Sequence, residues 1–84
     1  MRIKAKWLMY VKAVFNIEEV GMYISKMYVF EKGSVIDLEE ICNEFSSVLG
    51  REINKDGFWF DVNYTDGESV CGEYSYDGLL ELIS

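Results

Sequence analysis

The residues best able to do chemistry are carboxylates. Asp61, Asp66, Glu68, Glu73 and Asp77 crowd the last third of the chain, and the segment DVNYTDGES from Asp61 spaces its oxygen side chains somewhat like a calcium loop. The spacing of an EF-hand is absent, and no bidentate glutamate follows at the required offset. Paired carboxylates could also serve acid–base catalysis, but the chain has 15 acidic residues, so proximity of any two carries little information. Histidine, the side chain best tuned to move protons near neutral pH, does not occur. Histidine-activated serine or cysteine nucleophiles are therefore excluded, and the seven glycines are scattered at turn positions rather than gathered in a phosphate loop. A non-enzymatic protein is the expectation, with no cofactor and no metal.

Cys42 and Cys71 are too few for a disulfide framework or an all-cysteine zinc site. Both read as small apolar core residues. Two further groups could make contacts. Trp59 and Tyr74, with Asp61, would form an aromatic and acidic patch if they share the outward face of a sheet, and tryptophan and tyrosine are favoured contact anchors. Lys4, Lys6 and Lys12 share one face of an extended N-terminal segment with Tyr10, a combination that can hold single-stranded nucleic acid. Three lysines are few for that task in a chain of net charge −7.

These residues must be positioned by elements readable from pattern. From Arg2 to Phe15 the odd positions Ile3, Ala5, Trp7, Met9, Val11, Ala13 and Phe15 fall on one face at period two. A helical period also fits, but the density of aromatic and β-branched residues favours a strand. Asn16 to Gly21 reads as a turn, and Met22 to Phe30 as a second strand completing a long hairpin. Asp37 is a helix cap with Glu40 as its capping-box partner, and Ile36 and Ile41 have the spacing of a hydrophobic staple. Leu38, Ile41, Cys42, Phe45, Val48 and Leu49 form an apolar stripe. Gly50 supplies a left-handed stop, so a helix is predicted over 38–49.

Phe58 to Tyr64 alternates, with Phe58, Phe60, Val62 and Tyr64 on one face. Asp66-Gly67 follows as a two-residue hairpin turn. That turn sets a register in which Thr65 faces Glu68, Asn63 faces Val70, Val62 faces Cys71 and Trp59 faces Tyr74. Residues 78–83 (GLLELI) form a last element of undecided type.

The order β-β-α-β-β predicts a single α+β domain over 1–84. An antiparallel sheet of about four strands would have one helix packed on one face, plus a short C-terminal element. Half the residues are hydrophobic and 15% are aromatic, enough to fold without staples although a chain of 84 residues builds only a thin core. No apolar run is long enough for a membrane-spanning helix, no secretory signal is visible, and a reducing cytoplasm is the expected location.

Charge is divided unequally. Residues 1–32 hold six Lys/Arg against three Asp/Glu, and residues 33–84 hold two against twelve. The expected function is a protein-binding module, a small acidic inhibitor or regulator that docks on a basic surface of a protein partner, a nucleic-acid-binding surface in its narrower form. Phage-encoded antagonists of host defence, anti-CRISPR proteins among them, are an analogy of type, carried by no motif here. The expected contact residues are Trp59, Asp61, Asp66, Glu68, Glu73 and Tyr74. The alternatives are nucleic-acid binding through the lysines of the first hairpin, which is disfavoured, and self-association into a homodimer through sheet faces or edges.

Overall fold

The N-terminal segment is two strands rather than one. The computed structural model describes residues 2–67 and 70–84. In it β1 (Arg2–Lys4) and β2 (Met9–Ile17) are separated by a bend over residues 5–8. The alternation survives the bend: Ala5, Met9, Val11, Ala13 and Phe15 are buried, and Ile3 and Trp7 pack against the same core. Two sets of hydrogen bonds, one of them through the Asp66 carboxylate, cause the break. The Ala5 amide donates to the Ser34 carbonyl and the Gly33 amide to the Ala5 carbonyl, which diverts the chain toward β4 (Val35–Asp37). The Leu8 amide then donates to Asp66 Oδ1 at 3.0 Å, and the Asp66 amide returns a bond to the Leu8 carbonyl. β1 and β4 accordingly form their own antiparallel pair, with Arg2 opposite Asp37.

The main sheet has the order β3-β2-β5-β6 and is antiparallel throughout, with β3 (Met22–Phe30), β5 (Phe58–Thr65) and β6 (Gly72–Ser75). β2 is central because its inward residues are uniformly apolar. β2 and β3 pair along all nine residues, from Met9 opposite Phe30 to Ile17 opposite Met22.

Helix α1 spans Leu38–Leu49, as the pattern predicts. The Asp37 carboxylate accepts from the Glu39 and Glu40 amides, satisfying donors that a helix start leaves open. Gly50 takes φ 70° and closes the other end, where any side chain would be strained. Ile36 and Ile41 are both buried, as a staple requires. Val48 departs from the predicted stripe: it is 78% exposed, at the margin of the apolar arc where α1 borders a groove beside β3.

The undecided C-terminal element is a helix, α2 (Tyr76–Ile83), capped by Ser75, whose Oγ accepts from the Gly78 amide. Leu79 and Ile83 of α2 join Leu38, Ile41 and Phe45 of α1 over the inner face of the sheet, where Phe60 is fully buried. The architecture is α+β, with two helices on one face rather than one. No helix is long and apolar enough to cross a membrane, among the described residues.

The second hairpin corrects the predicted register. Val62 faces Gly72, Asp61 faces Glu73, Phe60 faces Tyr74 and Trp59 faces Ser75, one residue away from the two-residue-turn register. A two-residue turn of that kind needs positive φ at both central residues, and Gly67 does not have it. Asp66 is instead occupied with Leu8, and Gly67 lies against Trp7: a Cβ there would sit 2.2 Å from the indole Cδ1. A one-residue slip sends every side chain to the opposite face. Cys71 is consequently exposed and Val70 buried, the reverse of the predicted assignment.

Candidate docking surface

The two faces of the main sheet differ in kind. The inner face carries the core. Among the described residues no helix covers the outer face, which the registers compose row by row. Tyr10 lies between Val29 and Tyr64, Lys12 between Met27 and Asp61, and Val14 between Ser25 and Trp59. Glu73 continues the second row beyond Asp61, and Ser75 continues the third beyond Trp59. Tyr10, Tyr23, Met27, Val29, Trp59 and Tyr64 are all exposed.

Tyr64 reaches this face through a β-bulge. Strict alternation would place it inside with Phe58, Phe60 and Val62. The β2–β5 register shifts between Tyr10 and Val11, so Tyr10 faces Tyr64 while Val11 faces Val62, leaving Asn63 as the extra residue. The two tyrosine rings meet edge to face at 5.2 Å. The expectation that Tyr64 shares the core face fails for this reason.

Trp59 and Tyr23 lie 5.5 Å apart between ring centroids. Beneath them Val14 is buried although it lies outside the main core. The rings and Val14 shape a shallow depression of about 320 Å³, with Lys12, Asp61 and Glu73 on its rim. Asp61 and Glu73 stand directly opposite each other on adjacent strands. Like charges in that position are destabilising, and Lys12 flanks only the Asp61 side.

The six expected contact residues are thus divided. Trp59, Asp61 and Glu73 come together on the outer face. Tyr74 does not join them: it stands opposite Phe60, packs against the core, and its hydroxyl donates to the Val70 carbonyl at 2.7 Å. Asp66 is held by Leu8, and Glu68 lies outside the described residues. Tyr23, Met27, Val29 and Tyr64 were missed, and Tyr10 was singled out only beside the lysines. Period two places Tyr10 opposite the apolar face of its strand but does not divide the largely apolar run 22–30, and only the pairing of β2 with β3 and β5 puts these residues beside Trp59.

The lysine set is also divided. Lys4 belongs to the β1–β4 pair, and Lys6 donates to the Ser84 carbonyl at 2.8 Å. Lys12 alone of the three sits on the outer face. The carboxylates are likewise not gathered into one field. Glu44 pairs with Lys26 at 2.8 Å, Glu19 with Arg51 at 2.9 Å, and Asp77 with Lys55 at 2.8 Å. The Cys42 thiol is pushed up, first by burial and then by the Glu39 carboxylate, which opposes thiolate chemistry. Among the described residues no three Asp, Glu or Cys side chains converge as a metal site requires.

Comparisons with protein-family models, with curated proteins and with solved structures return no match.

Proposed function

We propose that the chain is a non-enzymatic protein-binding module that docks through the outer face of its sheet onto a basic protein surface. The observation that carries this reading is the placement of Asp61 opposite Glu73 beside the exposed Trp59 ring. A partner lysine or arginine entering the depression would relieve the carboxylate repulsion and lie against the aromatic face of Trp59. The surrounding tyrosines, Met27 and Val29 supply the adaptable apolar contact that interfaces favour. The overall charge of −7 speeds encounter with such a partner. In its narrower form the module inhibits by covering a basic, nucleic-acid-binding groove.

Capture from a lysate of the source cell at low salt tests the reading. The wild type is compared with Trp59→Ala, with Asp61→Lys plus Glu73→Lys, and with Glu81→Lys on α2 as a control of equal charge type. Both outer-face variants should lose a protein that the wild type and the α2 control retain. Equal recovery by all four would overturn the assignment. Labelled RNA and DNA titrated in parallel distinguish the nucleic-acid alternative, whose binding would depend on Lys12.

A further inference from the structure

The long edge of the sheet is chemically suited to one occupant, a second copy of itself. β3 pairs with β2 on one side only and ends the sheet on the other. It is nine residues long, none of them buried, and contains neither proline nor glycine. Such an edge presents a row of open backbone donors and acceptors. Sheets usually blunt such an edge with charge, and β3 has a single charged residue, Lys26, at its centre. That charge is already compensated: Lys26 Nζ lies 2.8 Å from Glu44 Oε2, which also accepts from the Tyr28 hydroxyl at 2.8 Å.

From these observations we infer that two chains associate through antiparallel pairing of their β3 edges about a two-fold axis at Lys26. Full overlap of the strands places Met22 opposite the partner's Phe30, Ile24 opposite the partner's Tyr28, and Ser25 opposite the partner's Met27. On the helix-bearing face apolar side chains therefore meet apolar side chains on either side of the axis, where Lys26 meets the partner's Lys26, each offset by the Glu44 of its own chain. A groove of about 640 Å³ lies between β3 and α1, floored by Ile24, Phe45 and the exposed Val48. The partner's Tyr28 would lie beside Ile24 at its mouth. A second copy fits this edge because an antiparallel copy of the same nine-residue strand brings backbone acceptors to its open donors along the whole strand, with one charge per copy that Glu44 already offsets. The product is one eight-stranded sheet whose two outer aromatic faces are continuous. The inference is independent of the docking partner proposed above, since it rests on the edge rather than on Asp61 and Glu73.

Sedimentation equilibrium of the full chain over a hundredfold dilution reads the result as mass. The expected outcome is a concentration-dependent shift between 9.8 kDa and twice that value. Two double variants test the register: Ser25→Lys with Met27→Lys, and Ser25→Glu with Met27→Glu. Each folded variant alone should remain monomeric, because position 25 faces position 27 with like charge, and an equimolar mixture should recover the dimer. A wild type that stays at monomer mass overturns the inference. So does a dimer unaffected by either variant, which would place the contact elsewhere, or a mixture of folded variants that fails to associate.

Discussion

At the scale of single residues, Asp66 and Gly67 decide how the second hairpin is built, and neither acts as its type suggests. Asp66-Gly67 has the composition of a tight turn, yet Asp66 is spent on the Leu8 amide and Gly67 on room for the Trp7 ring. The glycine is required by close approach, not by positive φ. The two roles predict different mutational behaviour. Asparagine is well tolerated at a glycine of a positive-φ hairpin turn, whereas here Gly67→Asn and Gly67→Ala should both force the indole aside. A cost of about 1–3 kcal/mol is expected from overpacking, measured by urea unfolding. Equal stability of Gly67→Asn and wild type would contradict the close-packing account. No pattern in the sequence announces this contact, because Trp7 and Gly67 are distant along the chain.

At the scale of elements, helix α1 is the part most legible in sequence. Its cap, staple and glycine stop are local signals, and local signals do not depend on how strands pair. The sheet is less legible because register and bulges are set by partners. Tyr64 follows the core alternation of its own strand and is nevertheless on the outer face, owing to the bulge at Asn63. The alternation correctly placed Phe58, Phe60 and Val62 inside. Their neighbour Tyr74 was misplaced by a turn assumption alone. α1 is also tied to the edge of the sheet through Glu44, whose carboxyl is held below its ordinary 4.5, first by the hydrogen bond from Lys26 and then by that from Tyr28. A carboxylate lowered in the folded state contributes stability that is complete above the ordinary value and is lost as pH falls below it. The Tyr28 hydroxyl is correspondingly pushed up by burial and by Glu44. Glu44→Gln should therefore lower stability near neutral pH slightly and flatten the acid side of the stability profile, read as unfolding midpoints from pH 7 to pH 3. An unchanged acid slope in Glu44→Gln would show that the tie contributes nothing to folding.

At the scale of the whole molecule, the uneven charge of the sequence does not survive as two separate poles. Arg2 faces Asp37, Lys12 faces Asp61 and Lys26 pairs with Glu44, so the basic N-terminal residues are interleaved with the acidic remainder. The general acidity remains and can guide encounter, but recognition has to come from a particular surface. Two helices on the inner face leave the outer face without a cover among the described residues, and that face concentrates aromatic side chains around one opposed carboxylate pair. The composition made such a surface conceivable; only the sheet order β3-β2-β5-β6 assembles it. The most direct measurement is calorimetric titration of the captured protein partner with wild type and with Trp59→Ala, after circular dichroism shows the variant folded. A central aromatic anchor is worth about 2 kcal/mol or more, so affinity should fall roughly thirtyfold. Unchanged affinity would contradict docking through the outer face.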